Sequence, residues 1–116
     1  MSTTSMSQPL YVAKAELFRS LGHPARIRIL ELLAEGDQPV ALLQDEVGLE
    51  SSALSQQLAV LKRTGLVESR RKGNTVTYRL TDPSVVVFLS AARAVLGATL
   101  DRTRQALEHL ESVSSS

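Results

Sequence analysis

Apolar residues recur at helical spacing along the first ordered stretch, where Leu10, Ala13, Leu17 and Leu21 align with Phe18 beside them and Gly22 stops the run. His23-Pro24 opens a second helix, because proline is preset for the first helical position, where its missing N–H would be unpaired anyway. Ile27, Leu30, Leu33 and Ala34 form its buried stripe, and Gly36 ends it. Pro39 begins a short third helix with Leu42, Leu43 and Val47 inward, closed by Gly48. Beyond Leu49 and Glu50 a fourth helix carries Leu54, Leu58 and Leu61 on one side, with Ser51 as its capping residue. Two short helices joined by a glycine-containing turn make a helix-turn-helix over residues 38–65.

At Gly65 the period changes to alternation. Val76, Tyr78 and Leu80 take one face and Thr75, Thr77 and Arg79 the other, which predicts a strand. Residues 66–72 pair with it through Gly73-Asn74, a dipeptide able to take the positive φ values of a two-residue hairpin turn. Asp82-Pro83 reads as a cap and first helical residue for a long helix over 83–111. Its stripe, Leu89, Ala92, Leu96, Leu107 and Leu110, is widened by Val86, Val87, Phe88, Val95 and Leu100. A domain this small has too little surface to cover both faces, so the expected cover is the same helix of a second subunit. The expected dimer interface comprises Leu10, Leu89, Ala92, Leu96, Leu100 and Leu107. Residues 1–9 and 112–116 are Ser-rich tails, expected to be disordered and flexible, around one domain over 10–111.

A chain of 116 residues leaves no room for a catalytic domain beside a binding domain. Cysteine is absent, which removes disulfides, thiolate metal sites and thiol redox sensing together. Two Phe and two Tyr with no Trp give poor support to stacking on single-stranded bases. The net charge of +1 hides a strong asymmetry. Residues 1–50 net −3, residues 51–81 net +5 and residues 82–116 net −1. A basic segment between acidic flanks is the pattern of a localised polyanion-binding surface. The N-terminus lacks the basic start and apolar centre of a signal peptide, and no apolar run is expected to span a membrane, so a cytoplasmic location is expected.

The order of elements, with Leu17 to Leu30 (LFRSLGHPARIRIL), Leu54 to Leu61 (LSQQLAVL), Gly65-Leu66-Val67 and Val76 to Leu80 (VTYRL), resembles the ArsR/SmtB family of winged-helix repressors over roughly residues 14–100. The resemblance implies a mainly α fold with a small β-hairpin, a winged helix-turn-helix with a long C-terminal dimerisation helix. It also implies a homodimer that binds an inverted-repeat operator in double-stranded DNA until an inducer releases it. The geometry is consistent, since a recognition helix fits the major groove and a two-fold dimer sets two such helices about 34–36 Å apart.

On the fourth helix Ser52, Ser55 and Gln56 lie away from the leucines, with Gln57 on the shoulder; these four are the base-edge candidates, because Gln pairs bidentately with adenine and Ser serves several bases. The family commonly has His where Gln57 stands and a small capping residue where Glu50 stands. Ser51, Lys62, Arg63, Arg70, Arg71, Lys72, Asn74, Thr75 and Arg79 are the phosphate candidates.

Many members of that family sense metals. The cysteine pair of its thiolate sensors has no counterpart in residues 40–45, and where the inter-helix site would place a His after Asp82 the chain has Pro83, Ser84 and Val85. His23 is read as a residue at a helix start and His109, near Asp101, Glu108 and Glu111, as an exposed polar residue. No metal or cofactor is expected, and the inducer is a small molecule or absent. Two rival readings are a winged-helix module that binds another protein and a metal-responsive repressor with an oxygen/His site. An enzyme is disfavoured by the absence of cysteine, of a glycine-rich phosphate loop and of a metal-ligand cluster.

Overall fold

The computed structural model describes residues 8–114 and divides into two compact units, one ending at Pro83 and one beginning at Ser84. The first unit contains α1 (Leu10–Leu21), α2 (Pro24–Ala34), β1 (Gln38–Pro39), α3 (Val40–Val47), α4 (Ser51–Arg63), β2 (Val67–Lys72) and β3 (Thr75–Leu80). The second is a single helix, α5 (Ser84–Ser114). The expected tail over residues 1–9 lies mostly outside the described residues; Gln8 and Pro9 are described, and Gln8 Nε2 donates to Glu16 Oε1 at 3.1 Å.

The core of the first unit is aliphatic. Ile29, Leu30, Leu43, Leu54, Leu61 and Val67 are fully enclosed, so α2, α3, α4 and β2 share one interior. The buried face of α2 is wider than its expected stripe. Ala25, Ile29, Leu32 and Leu33 are buried with Leu30, whereas Ile27 and Ala34 are half-buried. In α3 only Leu43 is buried; Leu42 turns outward, because an eight-residue helix packed along one side leaves its neighbour at 100° exposed.

Helix ends follow the expected chemistry with one correction. His23 caps α2, its Nδ1 accepting from the Ala25 N–H at 3.1 Å, with Pro24 at the first helical position. The cap of α4 is Glu50, not Ser51. Glu50 is extended and its carbonyl already accepts from the Leu54 N–H at 2.9 Å, so Ser51 is the first helical residue and no side chain caps this end. At the other end Gly65 takes φ 81°, and the Gly65 and Leu66 N–H groups donate to the Lys62 and Leu61 carbonyls, the paired bonds of a Schellman stop.

β2 and β3 pair antiparallel from Val67↔Leu80 to Lys72↔Thr75. Gly73 takes φ 63° while Asn74 keeps a negative φ, the pattern of a type II′ rather than a type I′ turn. β1 was not expected. It pairs with β3 through Gln38↔Tyr78 and Pro39↔Thr77, making a three-stranded sheet in the order β1-β3-β2. Proline is tolerated there because β1 is an edge.

α5 starts one residue later than expected, at Ser84, and continues three residues past Glu111, so residues 112–114 are helical rather than a frayed tail. Every residue from Ser90 to Val113 is exposed.

Candidate nucleic-acid interface

α4 is amphipathic, and burying Leu54, Leu58 and Leu61 sets what its other sides present. Ser51, Ser52, Ser55 and Gln56 are exposed. Gln57 is placed differently. It is half-buried, and its Oε1 accepts from Arg26 Nε at 2.8 Å, while Arg26 Nη1 donates to the Ser20 carbonyl at 2.6 Å. One guanidinium therefore joins the end of α1 to the middle of α4. Gln57, expected at a base edge, is thus also bonded within the protein through its oxygen, which keeps a second acceptor position.

Three bonds fix the hairpin to the end of α4. Lys62 Nζ donates to Ser69 Oγ at 2.9 Å, Thr81 Oγ1 donates to the Gly65 carbonyl at 2.7 Å, and the Thr81 N–H donates to the Leu66 carbonyl at 3.1 Å. Cross-strand partners share a face and successive residues alternate. The register thus puts Glu68, Arg70, Lys72, Thr75, Thr77 and Arg79 on one face, and Val67, Ser69, Arg71, Val76, Tyr78 and Leu80 on the other. Since Val67 is buried and Ser69 meets Lys62, Arg71 lies on the face turned toward α4.

The expected phosphate residues are not equivalent. Arg70, Arg71, Lys72, Asn74 and Thr75 are exposed at the distal half of the hairpin. Arg79 is ion-paired with Glu68, its cross-strand partner. Arg63 lines a cleft with Ala13, Glu16, Leu17, Ser20 and Thr64, which sets it beside α1 rather than beside the hairpin. Arg26, Glu68 and Ser69 were missed from the sequence. The Glu68–Arg79 pair was legible once the turn was placed, because opposite charges then fall directly across the ladder. Arg26 and Gln57 are 31 positions apart, and no local pattern announces them.

His23 spends its Nδ1 on the α2 cap, and Asp101 and Glu108 both face Arg104, at 3.7 and 3.9 Å. Among the described residues no three of His, Cys, Asp and Glu gather in a group that could hold a metal ion.

α5 is longer and more evenly apolar than the sequence pattern suggested. By length and composition it is apolar enough to cross a membrane, since residues 84–100 carry the single charge of Arg93. Of the expected interface residues, Leu10, Ala92, Leu96, Leu100 and Leu107 are exposed and Leu89 is half-buried.

Comparison with known proteins gives a consistent set of relatives. The family model for bacterial regulatory proteins of the arsR family matches residues 23–69. The HTH-type transcriptional regulator Rv0081 of Mycobacterium tuberculosis is 53% identical over 105 residues, covering 90% of this chain and 92% of that protein. Its crystal structure superposes with a TM-score of 0.78 over 84% of this chain and 98% of the other. The biofilm growth-associated repressor of Xylella fastidiosa is 36% identical over 84 residues, 72% of this chain and 74% of that one. A solution structure of the homodimeric winged helix-turn-helix DNA-binding domain of Mb0332 from Mycobacterium bovis has a TM-score of 0.73 at 27% identity, over 88% of this chain and 92% of the other.

Proposed function

This chain belongs to the arsR family of bacterial regulatory proteins, transcriptional regulators with a winged helix-turn-helix DNA-binding domain, and on that premise we propose that it is a cytoplasmic homodimeric repressor. It binds an inverted-repeat operator with α4 in the major groove and is released by a small-molecule effector that is not a metal. The observation that carries the reading is the lock between α4 and the hairpin. Lys62 on Ser69 holds the exposed polar side chains of α4 at a fixed offset from a hairpin bearing Arg70, Arg71 and Lys72. Base edges are read by short polar groups in the groove, and phosphates outside it are met by long cations, so one rigid unit supplies both.

Repression is supported by the name of the Xylella relative, and the homodimer by the Mb0332 domain and by the uncovered leucines of α5. Ser52, Ser55 and Gln56 are assigned to base edges, with Gln57 beside them. Ser51, Lys62, Arg70, Arg71, Lys72, Asn74 and Thr75 are assigned to the backbone. A non-metal effector is favoured because Arg104 engages Glu108, the carboxylate next to His109 along α5, and no three of His, Cys, Asp and Glu gather among the described residues.

Fluorescence anisotropy of the chelator-treated protein on the DNA upstream of its own gene, with excess nonspecific competitor, tests the proposal. Competitor-resistant binding with two subunits per site is the expected result. Binding that competitor abolishes, from a chain that sediments as a monomer, would refute it in favour of a protein-binding module.

A further inference from the structure

We infer that the cleft between α1 and the end of α4 is the effector site, and that it takes a small amino acid, with the ligand's carboxylate on Arg63 and its ammonium on Glu16. The inference rests on the proposed reading of a repressor released by a small molecule, and it names a site and a ligand class which that reading does not contain. Ala13, Glu16, Leu17 and Ser20 stand at i, i+3, i+4 and i+7 on one face of α1, turned away from Tyr11 and Phe18. With Arg63 and Thr64 they line a cleft of about 310 Å³, and small-molecule pockets begin at about that size. Among the described residues Glu16 and Arg63 pair neither with each other nor with any other charge. Glu16 Oε1 accepts from Gln8 Nε2 at 3.1 Å, a neutral donor that leaves the carboxylate its charge. Two opposite charges that line one cleft without meeting leave room for a ligand that carries both signs.

The lining has a group for each part of such a ligand. A guanidinium meets a carboxylate through paired N–H bonds, and a carboxylate accepts from an ammonium. Ala13 and Leu17 give the ligand's side chain an apolar wall. The Ser20 and Thr64 hydroxyls donate to the Leu17 and Leu61 carbonyls, at 2.7 and 3.0 Å, so recognition falls to the two charges. Those charges cancel, which suits a zwitterion and not a phosphate ester with about two negative charges. The proposed DNA contacts lie on the hairpin side of α4 and leave Arg63 without a task. The cleft meets α4 at two points. Arg63 is its last residue and Thr64 its cap, and the Ser20 carbonyl holds Arg26, which donates to Gln57 in mid-helix. A ligand bridging Glu16 to Arg63 ties α1 to α4, and it releases DNA by binding the released arrangement more tightly.

The test is thermal unfolding and operator anisotropy of the full-length, chelator-treated protein, with each of the common L-amino acids added singly at millimolar concentration. At least one raises the unfolding midpoint and lowers operator affinity by about tenfold, while the same compound without its amino group, or without its carboxyl group, does neither. Arg63→Gln and Glu16→Gln each remove one charge from an exposed position outside the core. Each weakens the response to the amino acid by about tenfold, the loss of one charge-assisted hydrogen bond, and leaves ligand-free operator binding unchanged. A merely structural role for either residue shifts the ligand-free midpoint and spares the response. No response to any amino acid, a response that survives in either variant, or one reproduced by the compound without its amino group overturns the inference. So does a flatter salt dependence in ligand-free Arg63→Gln, which places Arg63 against a phosphate. In each of these cases competitor-resistant binding by the ligand-free wild type keeps the repressor reading standing, and its absence overturns both.

Discussion

Replacing Arg71 by alanine removes one cation from the hairpin face turned toward α4, and the structure sets how large the effect on operator binding should be. Of the six basic residues in 51–81, Arg79 is neutralised by Glu68 and Arg63 lies in the cleft beside α1. Lys62 bonds a neutral hydroxyl and keeps its charge for a phosphate, and Arg70, Arg71 and Lys72 make no ion pair among the described residues. Four contacts per subunit, doubled in the proposed dimer, give a slope of log affinity against log salt of about −7. Arg71→Ala removes two contacts and flattens the slope to about −5. Between 50 and 200 mM salt the wild type then loses about 10⁴-fold in affinity and the variant about 10³-fold.

The control is the pair across the ladder. Replacing Glu68 and Arg79 together by alanine deletes a neutral pair and leaves the slope unchanged, while Glu68→Ala alone releases Arg79 and steepens it toward about −9. Anisotropy titrations of one operator duplex at a series of salt concentrations measure all four slopes. The pair is half-exposed and worth at most about 1 kcal/mol, so a phosphate has the means to draw Arg79 away. If the double variant flattens the slope as much as Arg71→Ala does, Arg79 contacts DNA and the exclusion built on Glu68 is wrong.

Leu61→Ala opens a cavity where α4 meets the core, because Leu61 is fully enclosed, and should lower stability by about 2–5 kcal/mol in urea titration with an unchanged m-value. A loss below about 1 kcal/mol would mean that this end of α4 is loosely packed. Leu100→Glu places a charge in the proposed subunit interface and should convert the dimer to a helical monomer by sedimentation equilibrium, with operator binding lost. An intact dimer would move the interface off this part of α5.

Most of the fold was legible because its elements are amphipathic and end at glycines or begin at prolines. Leu54, Leu58 and Leu61 announce α4, and the alternation around Tyr78 announces β3. β1 was not legible, since two residues carry no period and exist as a strand only by pairing with β3. The cap of α4 was misplaced because serine is the better capping residue by chemistry, whereas the carbonyl geometry at Glu50 decides where the helix begins. The site was legible as a list of residue types and not as a set of states. Gln57 and Arg79 both have the right chemistry for DNA, yet each is already bonded within the protein, to Arg26 and to Glu68. Such partnerships depend on register and on contacts between helices, which composition and charge along the chain do not encode.

The apolar length of α5 raises the choice between a bilayer and a protein partner, and the pattern within the helix decides it. A bilayer asks only that residues 84–100 be apolar on all sides, and makes no demand on the residues beyond them. In α5 the leucines at 89, 96, 100 and 107 return to one side at helical spacing, with Ala92 and Leu110 beside them. That stripe continues through the last three turns, where Asp101, Arg102 and Glu108 lie on other sides of the helix and Arg104 and Glu111 border it. Arg104 links to Asp101 and Glu108 along the helix surface, the arrangement of a solvated face flanking the leucine stripe. Arg93 falls midway along the apolar half, where placing it in a bilayer costs about 2.5–3.5 kcal/mol. A leucine stripe that outlasts the uncharged segment is shaped for another helix. A second α5 supplies an identical stripe under two-fold symmetry, so the occupant that fits the proposed seam is a second copy of this chain.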